Sequence, residues 1–378
     1  MMRHILITGG AGFIGSNLSL ALLDKGHKVR VLDSLAPQIH GEGGTESALY
    51  RSIAGKVEFV RGDVTSRQDM LGAMNGVDTI VHLAAETGTG QSMYAIRRYA
   101  GVNVGGTAEM LDLIANEHLP IRRIVVASSR AIYGEGKYLC EEHGVCYPSA
   151  RKEEKLARGE FEPVCPVCSH TIQMLLTDEN SELHPTSVYG VTKLTQEQLI
   201  MTVGKALGIS TIAFRYQNVY GPGQSLANPY TGILSIFSTR IRHGRGINIF
   251  EDGRESRDFV FISDVVEATL AGIEHPDPIT DSFNVGSGKA TDVLTIANTL
   301  LYHFGVEAEI KVSGQYRAGD IRHNVADLTK ISQTFGVSPK VTIVEGISRF
   351  VRWVKGENIE ADRYEESLKE MTGRGLFK

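Results

Sequence analysis

The sequence predicts an α/β protein in which helices wind both faces of a parallel sheet and a smaller C-terminal α/β lobe follows, and three observations carry that expectation. Short apolar runs alternate with amphipathic stretches of helical period through the first 215 residues. A glycine-rich turn joins the first run to the first helix. The alternation breaks down after residue 216.

Residues 5–15, Ile-Leu-Ile-Thr-Gly-Gly-Ala-Gly-Phe-Ile-Gly, read as strand, tight turn and helix. Gly9 permits the turn, Gly12 lets the backbone approach a ligand, and Gly15 lets the helix pack closely. Free N–H groups at the helix terminus, where Phe13 and Ile14 lie, then face a pyrophosphate. The helix carries Ile14, Leu18, Ala21 and Leu22 on one face and stops at Gly26. A second strand, 28–32, runs into Asp33, placed to accept hydrogen bonds from an adenosine ribose while its charge repels a 2′-phosphate. These features define a Rossmann-type, doubly wound sheet and favour NAD over NADP.

The stretch 34–51 reads as loop with at most one short helix, and no chemistry is assigned to it. Strands at 57–60 and 78–83 lead into Asp63 and into Ala84–Thr87, at the carboxyl ends where ligands bind. Asp63 serves adenine contact, an N-cap for a helix at 66–74, or both. Residues 88–92 read as a mobile loop above the nicotinamide, and 94–117 as a helix whose Gly101, Gly105 and Gly106 imply close packing. The strand 123–127 runs into Ser128-Ser129-Arg130-Ala131, and later Tyr189 and Lys193 stand four apart, on one face of a helix. An ammonium beside a phenol lowers its pKa and makes it a usable base. Ser129 is placed to share the substrate's proton.

A sixth strand, 210–215, precedes the turn 216–223; beyond it come a loop and helix at 228–245, short strands at 247–250 and 257–260, a helix at 344–355 and a polar tail. Arg254, Arg257, Arg317 and Arg322 are candidates for holding phosphate, Arg254 being the one most readily explained as a surface charge. With 42% hydrophobic and 22% charged residues, a net charge of −5 and a pI near 6.2, the chain reads as an ordinary globular protein with small-molecule partners. Composition disfavours nucleic acid and membrane surfaces, and the expected location is the cytoplasm.

These residues together resemble the extended short-chain dehydrogenases/reductases, specifically the NAD-dependent nucleotide-sugar epimerases and dehydratases. The resemblance rests on Thr8–Gly15, Asp33, Asp63, 82–85, Asn103, 128–134, 189–193, 218–223, 257–259 and 284–286. It implies an NAD-binding Rossmann domain over 1–215, with an insertion at about 136–183, and a mainly nucleotide-sugar-binding lobe over 216–378, some segments of which return to the first domain. It makes Tyr189 the catalytic base, Lys193 a ligand of the nicotinamide ribose and Ser129 the catalytic hydroxyl. Asp63, Val64, Leu83, Ala84, Ala85 and Asn103 then join the glycine turn and Asp33 around NAD, and Gln91, Ser92, Ser129, Asn218, Asn228, Arg257 and Arg317 receive the nucleotide sugar. It also implies a homodimer pairing helices near 103–117 and 187–207.

One departure bears on the reaction. The family's 4,6-dehydratases carry Asp-Glu after the strand-end hydroxyl, where this chain has Arg130-Ala131. Elimination lacks its carboxylates, which leaves transient oxidation at C4, and so 4-epimerisation, ahead of net reduction of a 4-keto sugar or a catalytically silent NAD sensor. Segments 88–92, 224–237 and the insertion look most like the bacterial 4-epimerases that convert dTDP-L-rhamnose to the 6-deoxy-L-talose form. Other nucleotide-sugar epimerases, such as those acting on UDP-glucose, are the alternative.

All four cysteines fall between residues 140 and 168. Cys140-x-x-His143 and Cys165-x-x-Cys168 form two knuckles suited to tetrahedral zinc, with Cys146 as the alternative fourth ligand to His143. Ser169 stands where a glycine often follows such a knuckle.

Overall fold

In the computed structural model of the protein, described for residues 2–230, 232–359 and 361–378, seven strands form one parallel sheet. They are β1 (His4–Thr8), β2 (Lys28–Asp33), β3 (Glu58–Arg61), β4 (Thr79–His82), β5 (Arg123–Ser129), β6 (Ser210–Tyr216) and β7 (Thr280–Val285), in the order β7-β6-β5-β4-β1-β2-β3. Successive side chains of a strand point to opposite faces, so each strand feeds two cores. Ile5, Ile7, Val31, Val81, Val125 and Phe214 meet Leu18, Leu22 and Val265 on one face. Leu6, Leu32, Ile80, Ile124, Val126 and Ala213 meet Met70, Met110, Leu113 and Ile200 on the other. The order reverses between β1 and β4, which opens a crevice at their carboxyl ends.

Strand β7 lies far along the chain and returns to pair with β6 over six residues, Thr280 opposite Thr211 through Val285 opposite Tyr216. The segments between and after them build a second, smaller sheet. Ser256–Phe261 is its centre, parallel to Asn218–Tyr220 and His323–Asn324 and antiparallel to Ala290–Asp292. The insertion holds a three-stranded antiparallel sheet, with Tyr138–Cys140 between Gly144–Cys146 and Gln173–Met174.

Several local expectations are revised. The stretch 34–51 contains two short helices, Pro37–His40 and Ala48–Ile53. At 88–92 the chain is a pinned helical turn, Thr89–Ser92, because the buried Ser92 hydroxyl donates to the Thr89 carbonyl and accepts from the Tyr189 amide. The cap of helix Arg67–Met74 is Ser66, while the Asp63 carboxylate turns back onto Thr65. The helical stretch after residue 94 includes a π-helical segment, Ala100–Gly105, which runs directly into helix Gly106–Asn116. The tail is not merely polar chain: Tyr364–Gly373 is a helix, and Phe377 is buried against Phe250. No described helix is long and apolar enough to cross a membrane.

Candidate active site

The glycine turn is shaped by contacts that leave no room for side chains. Gly9 has φ +67°, and a Cβ there would stand 2.8 Å from the Ala84 amide nitrogen. At Gly15 a Cβ would fall 2.5 Å from the Gly9 carbonyl, so its hydrogen lets the helix start against the turn itself. Helix Phe13–Asp24 begins at Gly12 with no side-chain cap, leaving its first amides for a ligand. Asp33 closes the other side: its carboxylate accepts from the Ala11 amide at 2.9 Å and the Leu35 amide at 2.8 Å. Two lone pairs on each oxygen leave acceptor capacity for a ribose.

A cavity of about 510 Å³ runs from this turn to the end of β5. Gly9, Gly12, Phe13, Ile14, Gly15, Asp33, Asp63, Val64, Leu83, Ala84 and Ala85 line one part, and Ser129, Tyr189, Lys193 and Asn218 line another. Ser34, Ala36, Gln38, Ile39 and His40, from the stretch left without chemistry, also line it. Asn103 lies behind the wall. Its buried carboxamide accepts from the Glu86 amide at 2.7 Å and donates to the Glu86 carbonyl and the Thr192 hydroxyl, so it fixes the β4 loop to the Tyr189 helix.

Helix Val188–Leu207 is capped by Ser187, whose hydroxyl accepts from the Gly190 amide, and it presents Tyr189 and Lys193 to the cavity. Burial pushes the Tyr189 phenol up, against a hydrogen bond from Ser129 and the nearby Arg130 charge, both of which lower it. The Lys193 ammonium, expected to act on the phenol, instead donates to Gln196 Oε1 at 2.7 Å. Burial brings Lys193 down to about 7, partly opposed by Glu197. From Gln196 a buried chain of hydrogen bonds continues through Thr107 and His82 to Thr8 at the end of β1. Ser128 and Arg215 hold Glu197 beneath the site.

Arg130 lines the cavity and donates to Asn218 Oδ1 at 2.7 Å, and the sequence had marked it only as a departure from the dehydratases. Gln217 also lines the cavity, is buried, and has no protein partner for its carboxamide. Among the described lining residues the carboxylates are Asp33, Asp63 and Glu86, and Glu86 is paired with Arg98. In the cavity wall Ser129 is followed by Arg130 and Ala131, not by an acid.

Arg257, Arg317, Gln91, Ser92 and Asn228 stand outside the cavity lining. Arg257 pairs with Asp320 at 3.0 Å, and Arg317 lies 3.9 Å from the same carboxylate, its guanidinium over the Phe250 ring. Gln91 exchanges hydrogen bonds with Gln38. Asn228 is buried with its amide nitrogen unpartnered. Arg322 is no phosphate candidate: fully buried, it is consumed by Glu162, Glu251 and Asp252. Arg254 is exposed, as a surface charge would be.

In the insertion, ligand atoms of Cys140, His143, Cys165 and Cys168 all lie within 4.8 Å of one another, and Cys146 is not among them. The Cys140 and Cys168 sulfurs are 3.7 Å apart, and His143 Nδ1 lies 3.6 Å from Cys140 Sγ and 3.8 Å from Cys165 Sγ. Ser169 takes φ +62°, so the knuckle makes its left-handed turn without glycine.

A Rossmann sheet with a glycine turn, a strand-end acid and a Ser-Tyr-Lys set defines a nucleotide-cofactor enzyme of the short-chain dehydrogenase/reductase type. The chain belongs to the NAD dependent epimerase/dehydratase family, whose model matches residues 5–166 and 167–286. It is 38% identical to dTDP-L-rhamnose 4-epimerase of Burkholderia thailandensis, over 94% of this chain and 96% of that one. A putative UDP-glucose 4-epimerase of Methanocaldococcus jannaschii is 30% identical over 94% and 99% of the two chains. Among solved structures, UDP-glucuronic acid 4-epimerase from Bacillus cereus, in complex with UDP-glucuronic acid and NAD, is 25% identical, with a TM-score of 0.76 and coverage of 93% and 99%.

Proposed function

We propose that this chain is an NAD-dependent nucleotide-sugar 4-epimerase, acting on a 6-deoxyhexose and most specifically converting dTDP-L-rhamnose to dTDP-6-deoxy-L-talose. The observation that carries the reading is one cavity joining the glycine turn to Ser129, Tyr189 and Lys193, with Arg130-Ala131 in place of an acid and base. Gly12 and the following amides suit a pyrophosphate and Asp33 a ribose, so the residues present fit NAD. Held there, NAD would supply a reversible hydride acceptor for C4. Tyr189 as phenolate accepts the C4 hydroxyl proton and Ser129 hydrogen-bonds the same oxygen; after the 4-keto sugar turns over, Tyr189 gives the proton back. Asn218, Arg257 and Arg317 hold the nucleotide diphosphate through that turn, keeping the ketone from escaping. The finer substrate assignment is supported by the 38% identical relative. Incubation with a panel of nucleotide sugars, with products resolved by NMR, tests it: inversion at C4 of dTDP-L-rhamnose is expected, and turnover of UDP-glucose alone would reject the finer assignment.

The cysteine cluster we read as a structural zinc site. A tetrahedron with Zn–S of about 2.3 Å and Zn–N of about 2.0 Å has edges of about 3.8 Å between sulfurs and about 3.5 Å between sulfur and nitrogen. Three of the six separations, at 3.6–3.8 Å, lie close to these edges, and four protein ligands leave no position open for chemistry. Protein purified without added metal should contain about one zinc per chain; a metal-free, fully active preparation would reject the site. Four free thiols also suit a reducing compartment such as the cytoplasm. A homodimer is supported by Val191 and Leu207, exposed apolar residues on helix Val188–Leu207, and light scattering of the purified protein would test it.

A further inference from the structure

The loop between the two cysteine knuckles carries Arg151, Phe161 and Glu162. Its own apolar support is slight: a small cluster of Tyr138, Cys140, Cys146, Cys165 and Ile172, and a second of Leu156, Phe161 and Tyr316. Yet Arg151 has a side chain only 4% exposed, and every contact it makes reaches across the loop or out of it. It donates to both oxygens of Glu251 at 2.8 Å, to Glu135 at 3.1 Å, to the Phe161 carbonyl at 3.1 Å and to the Asp320 carbonyl at 3.0 Å. Arg322 completes the junction, bridging Glu162 of the loop to Glu251 and Asp252. The anchored residue, Asp320, is the one whose carboxylate pairs with Arg257 and faces Arg317. Partial burial opposes ionisation of Asp320, but the guanidiniums of Arg257, Arg317, Arg130 and Arg151 outweigh it and hold the carboxyl well below the usual range.

We infer that the zinc-closed insertion braces the diphosphate-binding arginines, and that Arg151 is the positioning residue through which it does so. The inference rests on the diphosphate role and on the zinc site proposed above. Closing both ends of the loop at one metal removes the freedom that would let Arg151 drift. With its fork on Glu251, Arg151 also donates to the Asp320 carbonyl, and the Asp320 carboxylate takes one N–H of Arg257, whose others go to the Ser256, Ile321 and Arg322 carbonyls, and faces Arg317. Arg317 Nε, buried, 3.9 Å from the Asp320 carboxylate and with no acceptor at hydrogen-bond distance, is the donor that this arrangement orients towards a phosphate oxygen.

The test is direct binding to the NAD-loaded enzyme, with UDP and dTDP as probes in calorimetric titrations. Arg151→Lys keeps the charge but cannot form the fork, and should weaken both nucleotides about tenfold while bound NAD and zinc content stay unchanged. Removing zinc from the folded enzyme with a chelator should weaken the same titrations. Arg158→Ala, an exposed change in the same loop, should leave them as they are. Undiminished nucleotide binding by Arg151→Lys would overturn the inference, as would parallel loss of NAD, which would mean that the cluster supports the whole fold and not the grip. If the unmodified enzyme bound neither nucleotide, the diphosphate reading itself would fall and take this one with it.

Discussion

Lys193 Nζ donates to Gln196 Oε1 at 2.7 Å, one helical turn further along from Tyr189 than sequence spacing alone suggests. Gln196 in turn donates to Thr107, so the carboxamide is fixed from both ends and aims the ammonium. Gln196→Leu should therefore free Lys193, lowering kcat and weakening NAD binding together while Tyr189 stays in place. Equilibrium dialysis with NAD, beside steady-state kinetics, checks this; kinetics unchanged from wild type would show that the pair is incidental.

Burial of Lys193 also makes a pH-dependent stability prediction. Its folded value of about 7 lies below the unfolded value of about 10.4, so the unfolded chain binds the extra proton between these limits and cofactor-free protein gains stability as pH rises through them. Below about pH 7 the cost is full, on the order of 5 kcal/mol. Lys193→Met removes that cost but strands the Gln196 oxygen, which returns about 1–3 kcal/mol. The net expectation is a cofactor-free variant more stable than wild type at pH 7 and losing that advantage towards pH 10, as read by denaturant unfolding at each pH.

Tyr189→Phe should abolish turnover and leave NAD bound, because the ring remains and only the proton acceptor goes. Ser129→Ala acts by a different route. Its hydroxyl lowers the Tyr189 pKa, so without it the phenol rises further and the acid limb of kcat moves to higher pH. An acid limb that stays put or moves down would exclude Ser129 as the phenol's partner.

Asp33 has two duties that can be separated. Asp33→Ala leaves the Ala11 and Leu35 amides without their acceptor, at about 1–3 kcal/mol each where they stay buried, and removes the acceptor proposed for the ribose. Asp33→Asn keeps an acceptor but loses the charge, and should retain more of the stability while weakening discrimination against NADP. Thermal melts and cofactor titrations of the two variants should thus rank differently.

What was legible in the sequence is what local pattern determines. Short continuous apolar runs mark the first six strands, and the glycine turn is marked by Gly9 and Gly15, where a Cβ would clash, with Gly12 between them in tight contact with the Gly9 carbonyl. The contacts that escaped reading join residues distant in the chain. Nothing near Arg151 announces Glu251 or Asp320, and nothing near Phe377 announces Phe250. Asn103 was found by resemblance, yet its work, holding the Glu86 backbone to Thr192, shows only when both partners are in place. Arg130 stood in plain view and was weighed only for the carboxylate it replaces.

The late return of β7 matters while the protein is being made. On the ribosome, β6 emerges with every one of its residues destined for the interior, and one of its edges has no neighbour until residues 280–285 arrive. Through that interval the nascent chain presents an open, apolar strand to anything able to pair with it. Synthesis that stalls between the two strands would thus leave an adhesive intermediate.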